Sequence, residues 1–300
     1  MKLLVTGSSG FIGSALKNYL EKKGIEIIPF DIKEDPNQDI CNFGKLNQKV
    51  SEIDGIIHLA AVSRVKLAFE DPINCIHTNV GGTVNILESV KLKGINKTQH
   101  PWVIFGSSRE VYGEALSLPV TEINIKKPIN IYGVSKLSGE NLCRIYSTNY
   151  NVKTRILRFS NVYTGLNDHL DRVIPKFIFK AFNNEDLVIN GSGEEIFDFT
   201  YISDVIHGIW SCIQEIERNQ HLLDDFNLSS GIPISLKNLS EIIIKKTNSA
   251  SHIKYVKSRS YDVNKFYADP QKANKILKFL PKVQLEEGIK LAISEFRNLI

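Results

Sequence analysis

Short apolar segments rich in β-branched residues recur along the first half of the chain. They are KLLVTG, IEIIPFD, DGIIHLAA, WVIFGSS and TRILRFSNVY. Each is almost continuously hydrophobic, which is typical of strands covered on both faces. Between them, residues 11–23, 73–93 and 132–150 space their apolar positions as helices do. This strand and helix alternation predicts an α/β fold with a parallel sheet wound on both sides.

The alternation loosens after residue 161. RVIPKFIFKAF predicts a helix, DLVINGSGEEIFDFTYI a strand, a glycine turn and a strand, and SDVIHGIWSCIQEI a helix that Ser203 or Asp204 could cap. The last segment, 285–300, is amphipathic. We therefore expect a Rossmann-type doubly wound domain, residues 1–165 with 198–222, and a smaller mixed α/β lobe, residues 166–197 with 223–300. A cleft between them is the expected ligand site.

The amino-acid composition indicates which kinds of binding partner the protein is not expected to have. The chain has 300 residues, 42% hydrophobic and 23% charged, as in ordinary folded proteins with a sizeable core. Thirty-seven basic against thirty-three acidic residues leave a net charge of +4, with the lysines dispersed. No nucleic-acid partner is expected from this pattern. The apolar run at the N-terminus ends at Gly7, too short for a signal peptide or a membrane span, so no membrane partner is expected either.

The cysteines indicate a reducing compartment. Cys41, Cys75, Cys143 and Cys212 are far apart and form no paired CxxC spacing. Free thiols in a cytoplasmic protein are therefore expected, and a metal site is not.

Three glycines lie between the first predicted strand and the first predicted helix. VTGSSGFIGSAL places Gly7, Gly10 and Gly13 there, where a tight turn lets phosphate groups approach free backbone N–H groups and the helix dipole. Asp31 closes the second strand, and a carboxylate there accepts hydrogen bonds from ribose hydroxyls and repels a 2′-phosphate. The pattern predicts that the first domain binds NAD rather than NADP. The alternative is a glycine-rich turn with Asp31 as a helix cap.

A tyrosine and a lysine stand one helical turn apart in IYGVSK. Tyr132 and Lys136 are predicted to project from one helix face, where the ammonium would lower the pKa of the phenol and make it a general base and acid. Ser108 follows a buried strand, at the sheet edge where open α/β folds bind ligands. The three side chains are expected to converge on the nicotinamide. Taken alone, the tyrosine and lysine could also be an ordinary surface pair.

These motifs resemble those of a known family. The matching stretches are TGSSGFIG, Asp31, HLAA, NVGGT, SSREVYG, YGVSK, RFSNVY and FDFTYISDV. In that order they are similar to the extended short-chain dehydrogenase/reductases, in particular the NAD-dependent nucleotide-sugar epimerases and dehydratases of the UDP-glucose 4-epimerase type. The resemblance covers the first two thirds of the chain, and the last eighty or so residues match loosely.

The resemblance implies a role for each matching position. Ser108 would hydrogen-bond the substrate hydroxyl or ketone, Tyr132 would move its proton, and Lys136 would hold the nicotinamide ribose. Further cofactor contacts would come from Phe11, Ile12, Leu59, Ala60, Ala61, Asn79 and Phe159. Substrate contacts would come from Ser108, Glu110, Asn161 and Arg259. A homodimer through two helices of the first domain is also implied.

Two departures from the family pattern bear on the reaction. Arg109 stands where the 4,6-dehydratases have an acidic aspartate, and because an arginine stays protonated, elimination is disfavoured. Glu110 could shuttle a proton or pair with a cation, and the structural role is favoured. Phe197 stands where many members have a phosphate-binding arginine. Arg259 matches a later phosphate arginine, with a solvated surface arginine as the alternative.

Three assignments are less specific. Asp39 and Ile40 of QDICN are predicted to lie by the adenine. The alternative is that Asp39 is an ordinary exposed aspartate in a loop. His58 is expected to be a hydrogen-bonded strand residue without a catalytic role, since no carboxylate partner is evident.

These patterns together favour an NAD-dependent nucleotide-sugar 4-epimerase acting on UDP-hexoses or their N-acetyl forms. Tyr132 would take the C4 hydroxyl proton while hydride passes to NAD, and the 4-keto sugar would turn over before hydride returns to its other face. The first alternative is a nucleotide-linked 4-keto-sugar reductase, and a 4,6-dehydratase is a weaker one. A nucleotide-sensing binding protein on the same fold would lack the serine, tyrosine and lysine.

Overall fold

The computed structural model describes residues 1–94 and 101–297. Its strands are β1 (Lys2–Thr6), β2 (Glu26–Phe30), β3 (Gly55–His58), β4 (Trp102–Ser108), β5 (Thr154–Phe159), β6 (Asn161–Tyr163), β7 (Leu187–Asn190), β8 (Ile196–Tyr201), β9 (Leu223–Leu228), β10 (Pro233–Ser235), β11 (Ile253–Val256) and β12 (Lys265–Phe266). Its α-helices are α1 (Phe11–Lys22), α2 (Phe43–Lys49), α3 (Val65–Glu70), α4 (Pro72–Ile76), α5 (Gly82–Gly94), α6 (Ile131–Tyr150), α7 (Val173–Phe182), α8 (Ile202–Arg218), α9 (Leu236–Thr247), α10 (Gln271–Leu277) and α11 (Leu285–Arg297).

A six-stranded parallel sheet in the order β2-β1-β3-β4-β5-β9 forms the centre of the first domain. The strand order reverses between β1 and β3, which is the switch point where open α/β sheets bind ligands. Thr6 is aligned with His58, and Ser108 with Phe159, so the carboxyl ends of the strands meet at one edge. The predicted parallel sheet is confirmed.

Helices cover both faces of this sheet and bury its apolar side chains. On one face, α1 and α8 pack against the strands in a core that includes Leu16 and Ile209. On the other face, α2, α5 and α6 enclose a core that includes Ile86 and Cys143. Strands covered on both sides have no polar face, which explains the continuous hydrophobic segments in the sequence.

The predicted helix over 73–93 is interrupted. A π-helical turn, His77–Gly81, separates α4 from α5. Asn79 in this turn accepts a hydrogen bond from the Val62 N–H at 2.7 Å and donates one to the Val62 carbonyl at 3.1 Å. The turn therefore fixes the loop after β3, which the apolar periodicity could not predict.

The second lobe is built from two small sheets. One pairs β8 with β6, β10 and β12, and the other pairs β7 with β11. Helices α7, α9 and α11 pack around them in a core that includes Phe177, Leu239 and Ile293. The predicted strand, glycine turn and strand over 186–202 are present as β7 and β8, but the two strands lie in different sheets because each pairs with a distant segment.

Three boundaries differ from the predictions. Segment TRILRFSNVY divides at Ser160 into β5, in the large sheet, and β6, in the second lobe. Strand β9 pairs with β5, and α10 packs against α8 and β9, so these parts of 223–300 belong with the first domain. Helix α8 begins at Ile202 without a side-chain cap, which places Ser203 and Asp204 inside its first turn. The predicted amphipathic segment 285–300 is a helix over its described part, Leu285–Arg297, and 298–300 lie outside the described residues.

Candidate active site

A cavity of about 1250 Å³ lies between the two lobes, at the carboxyl edge of the large sheet. This is larger than a pocket for a drug-sized ligand, so it can hold a dinucleotide beside a second ligand. The predicted site residues that line it are Gly7, Gly10, Phe11, Ile12, Gly13, Asp31, Asp39, Ile40, Leu59, Ala60, Ala61, Ser108, Glu110, Tyr132, Lys136, Phe159, Asn161 and Arg259. The exception is Asn79, which is bonded to Val62 and Ser135 behind the cavity wall.

The glycine segment forms a close-packed turn at the start of α1. Gly7 has a φ of +71°, and a Cβ added there would lie 2.7 Å from the Ala60 nitrogen. A Cβ on Gly13 would lie 2.0 Å from the Gly7 carbonyl oxygen. Gly10 precedes α1 without a side-chain cap, which leaves N–H groups at the helix start for a ligand. The turn therefore fits a pyrophosphate.

Asp31 lies directly after β2 and is buried beside this turn. Its Oδ2 accepts a hydrogen bond from the Ser9 N–H at 2.9 Å, and its Oδ1 accepts one from the Lys33 N–H at 2.8 Å. The carboxylate thus ties the glycine segment to the end of β2 while still lining the cavity. An anion held there fits the ribose hydroxyls of NAD and disfavours an added phosphate.

Asp39 and Ile40 line the same end of the cavity. Asp39 Oδ1 accepts a hydrogen bond from the Cys41 N–H at 2.8 Å. Ile40 is buried, and a Cβ on Gly82 of α5 would lie 2.4 Å from its Cδ1. Gly82 therefore makes room for the loop that carries both residues.

Ser108, Tyr132 and Lys136 come together on one wall of the cavity, and each is buried. Ser108 ends β4, and its Oγ accepts a hydrogen bond from the Glu110 N–H at 3.2 Å. Tyr132 and Lys136 lie in the first turns of α6, which Asn130 caps by accepting a bond from the Gly133 N–H at 2.8 Å. Lys136 Nζ donates to the Gly106 carbonyl at 2.8 Å.

The predicted lowering of the tyrosine pKa by the lysine is wrong for this structure. Burial raises the pKa of Tyr132 to about 12, against a smaller lowering by its hydrogen bond with Ser108. Burial also lowers the pKa of Lys136 to about 8. The Lys136 ammonium is bonded to Gly106 and lies 6.0 Å from the centre of the tyrosine ring, so desolvation of the phenol outweighs its attraction.

Arg109 and Glu110 form an ion pair in the wall next to Ser108. Arg109 Nη2 lies 2.9 Å from Glu110 Oε1, and Asn130 Nδ2 donates to Glu110 Oε2 at 2.8 Å. The guanidinium of Arg109 lies over the rings of Phe197, at 4.9 Å, and Phe266, at 5.6 Å. Both oxygens of the carboxylate are therefore engaged, in agreement with the structural role favoured above. The two departures from the family pattern, Arg109 and Phe197, touch each other.

The substrate end of the cavity carries Phe159, Asn161 and Arg259. Asn161 Nδ2 donates to the Asp198 carbonyl at 3.0 Å. Arg259 is 43% exposed, pairs with Asp262 at 2.6 Å and lies over the ring of Tyr261. It can therefore reach a ligand, although its surroundings are also those of a solvated arginine.

Charged residues of the loop before α7 also line the cavity, and the sequence patterns did not indicate them. Arg172 lies over the ring of Phe11 at 5.7 Å, beside the glycine turn, and is 3.4 Å from Asp168. Asp171 pairs with Arg64, which follows β3. The loop has no periodicity that would have indicated these residues. The tertiary structure brings its charged side chains to the cofactor end of the cavity.

His58 is a hydrogen-bonded residue at the end of β3, as expected, and its partners are two hydroxyl groups. Its Nδ1 is 2.8 Å from Thr6 Oγ1 and its Nε2 is 3.1 Å from Thr83 Oγ1. Burial, with a smaller contribution from the Lys136 charge, lowers its pKa to about 3. The imidazole is therefore neutral and held in place.

Residues 1–94 and 101–297 contain no cluster of histidine, cysteine and acidic side chains able to hold a metal. No helix in them has the length and hydropathy needed to cross a bilayer.

The parallel sheet, the glycine turn at its switch point and the buried serine, tyrosine and lysine define an enzyme of the extended short-chain dehydrogenase/reductase class. Comparison with family models supports this, since residues 3–228 match the NAD dependent epimerase/dehydratase family. The chain belongs to this family, and its cofactor is NAD.

Three known proteins show the range of the relatives. The chain is 28% identical to the UDP-glucose 4-epimerase of Thermotoga maritima, solved with UDP-glucose, with a TM-score of 0.91 over 100% of this chain and 99% of that one. It is 27% identical to the UDP-glucuronic acid 4-epimerase of Bacillus cereus, solved with UDP-glucuronic acid and NAD, with a TM-score of 0.90 over 100% of both chains. It is also 28% identical to UDP-glucuronic acid decarboxylase 1 of Arabidopsis thaliana, over 100% of this chain and 71% of that protein.

Proposed function

We propose that the protein is a nucleotide-sugar 4-epimerase that acts on a UDP-hexose or a UDP-N-acetylhexosamine with NAD kept bound. The observation that carries the proposal is the joint position of Ser108, Tyr132 and Lys136 on one cavity wall next to the glycine turn. The similarity to 4-epimerases solved with UDP-sugars supports a UDP-linked substrate.

Each of the three side chains has its own role in the proposed proton transfer. NAD, held by the glycine turn, Asp31 and Lys136, would supply reversible hydride transfer at C4. Ser108 holds the C4 oxygen by a hydrogen bond. Tyr132 accepts the hydroxyl proton when that carbon is oxidised and gives it back when it is reduced. Lys136 contributes a positive charge that opposes the effect of desolvation on the phenol, so it must be protonated during the transfer.

The ion pair beside Ser108 argues against elimination of water. Removing a substrate proton there would require a free carboxylate, whereas Glu110 is bonded to Arg109 and Asn130 through its two oxygens. Arg109 cannot replace a carboxylic acid, because a guanidinium keeps its protons. Epimerisation needs neither group as an acid or base.

Incubation with UDP-glucose, UDP-N-acetylglucosamine and UDP-glucuronic acid tests the proposal. We expect NAD to co-purify with the protein and one of these sugars to give its C4 epimer with no net consumption of NADH. Stoichiometric loss of NADH with a keto sugar would instead identify a reductase, and release of carbon dioxide from UDP-glucuronic acid a decarboxylase.

Replacement of the phenol tests the proton-transfer role. Tyr132→Phe should lower kcat by about 10²–10⁴-fold while NAD stays bound, because the ring remains and the exchangeable proton is lost. Turnover and bound NAD are measured on the same preparation. Unchanged turnover would remove Tyr132 from the mechanism.

We further propose a homodimer in which the outer face of α6 takes part. Ile131, Val134 and Ile145 project from this helix and are 38%, 41% and 50% exposed. Exposed aliphatic side chains on an otherwise well-packed helix favour association. Sedimentation equilibrium measures the mass directly, and a monomer at micromolar concentration would contradict this proposal.

A further inference from the structure

A buried carboxylate lies one helical turn beyond Lys136. Tyr132, Lys136 and Glu140 follow one another at four-residue spacing along α6, and Glu140 is fully buried. Glu140 Oε1 accepts a hydrogen bond from the Ser107 hydroxyl at 2.6 Å. Since Lys136 donates to the carbonyl of Gly106, two consecutive residues of β4 are bonded to two consecutive turns of α6.

A guanidinium on β5 completes this connection. Arg158 is 1% exposed, and its Nε and Nη2 both donate to Glu140, each at 2.7 Å. The same Nη2 lies 2.7 Å from Asp225 on β9, and Nη1 donates to the hydroxyl of Tyr112 at 2.9 Å. The bidentate pair therefore joins α6 to β4, β5 and β9 behind the catalytic wall.

We propose that Glu140 is a positioning residue that sets α6 on β4 so that Tyr132 and Lys136 stand in register with Ser108. This inference rests on the proposed catalytic role of those three residues. Glu140 is bonded to β4 at Ser107, and Ser108 is the next residue and the last of that strand. Lys136 precedes Glu140 by one turn of α6. A rotation or shift of α6 would therefore separate the phenol from the serine hydroxyl, and small displacements of this kind have large effects on rate.

The charge of Glu140 also acts on Lys136. Burial lowers the pKa of Lys136, and its interactions with Cys75, Cys143 and Glu140 oppose that lowering. The groups facing Lys136 are Cys75 of α4, His58 of β3, the Phe105 ring of β4 and, on its own helix, Tyr132, Glu140 and Cys143. Burial raises the pKa of both thiols and lowers that of His58, so these three are neutral near pH 8 and Glu140 is the acidic member of the set.

The same strand supplies a matched control. Arg155 of β5 is fully buried and pairs with Glu215 of α8, with its Nε 2.6 Å from Glu215 Oε2. This pair also joins a helix to the sheet, but it lies at the amino end of β5, away from the cavity lining. Replacing Glu215 removes a carboxylate whose side chain is 9% exposed from a buried arginine without touching the catalytic wall.

The experiment compares Glu140→Gln with Glu215→Gln in the protein with NAD bound. Both variants should melt at lower temperature. Only Glu140→Gln should lower kcat, by about tenfold to hundredfold with KM little changed, because the reacting groups lose register. Its activity should also begin to fall at a lower pH on the alkaline side than that of the wild type, since loss of the negative charge lets Lys136 deprotonate earlier.

A second readout does not depend on turnover. The pKa of Lys136 is measured by NMR of lysine-labelled protein, with Lys136→Arg to assign the signal, and it should be lower in Glu140→Gln and unchanged in Glu215→Gln. If the wild type shows no epimerase activity, the proposed function fails, whereas the effect of Glu140 on Lys136 is still measured. The inference would be overturned if Glu140→Gln and Glu215→Gln had the same kcat, the same alkaline limb of the pH profile and the same Lys136 pKa.

Ser107→Ala covers the case in which Glu140→Gln does not fold. This variant keeps the Arg158 and Glu140 pair and removes only the bond to β4. We expect a several-fold lower kcat with an unshifted alkaline limb, because the charge remains. Wild-type kcat in Ser107→Ala would contradict the positioning role.

Discussion

The cofactor end and the substrate end of the cavity are built in different ways. At the cofactor end, the turn that fits the pyrophosphate is close-packed backbone: Gly7 and Gly13 leave no space for a Cβ, and Asp31 is bonded to two main-chain N–H groups. At the substrate end the surface is made of side chains, such as Phe197 and the half-exposed Arg259. A backbone site tolerates almost no substitution, whereas a side-chain site can be rebuilt for another ligand.

The largest effect is expected at the cofactor end. Gly13→Ala places a methyl group against the Gly7 carbonyl, and because both partners are backbone, the turn must shift. We expect at least about a hundredfold weaker NAD binding, equivalent to about 2.7 kcal/mol. Isothermal titration with NAD measures this.

Ser8→Ala is the matched control within the same turn. The Ser8 hydroxyl is buried and has no hydrogen-bond partner within residues 1–94 and 101–297, so its removal should leave NAD affinity almost unchanged. Equal losses in Ser8→Ala and Gly13→Ala would mean that the turn responds to any substitution, and the comparison between the two ends would lose its basis.

A smaller effect is expected at the substrate end. Arg259→Ala should raise KM for the UDP-sugar by about tenfold, as expected for loss of a charge-assisted hydrogen bond, with NAD affinity unchanged. Arg218→Ala, at an exposed position in the last turn of α8, serves as the control and should match the wild type. An unaltered KM in Arg259→Ala would show that this arginine is only solvated.

An effect of the same size as that of Arg259→Ala concerns the choice of dinucleotide. Asp31→Asn keeps a side chain that can accept from the Ser9 N–H and removes the charge that would repel a 2′-phosphate. We expect the preference for NAD over NADP to fall by about tenfold, measured by titration with both dinucleotides. A preference that stays the same would assign the selectivity to another part of the site.

Much of the fold was predictable because it depends on local pattern. The continuous apolar segments ending at Thr6, His58 and Ser108 are strands buried on both faces, and their parallel alignment follows from the helices between them. Strand β9 was not recognised as a sheet strand, since LDDFNL carries acidic residues. Those residues are held by Lys272, Arg144 and Arg158, which come from distant parts of the chain.

The candidate site was predictable where a motif has its own local geometry. The glycine turn and the spacing from Tyr132 to Lys136 are of this kind. Arg172 and Arg64 were missed because each reaches the cavity from a loop without periodicity. Asn79 was placed in the cavity by resemblance, whereas its side chain is used to hold the loop at Val62.

By itself, the sequence determined the strand and helix alternation, the glycine turn with Asp31 beyond it, and the presence of Ser108, Tyr132 and Lys136 in the family's order. These features depend on residues that are close in the chain. Only the tertiary structure decided the protonation behaviour of Tyr132 and Lys136 and the pairing of Arg109 with Phe197 and of Glu140 with Arg158. Desolvation and ion pairing depend on which distant segments exclude water from a group, and that information is absent until the chain has folded.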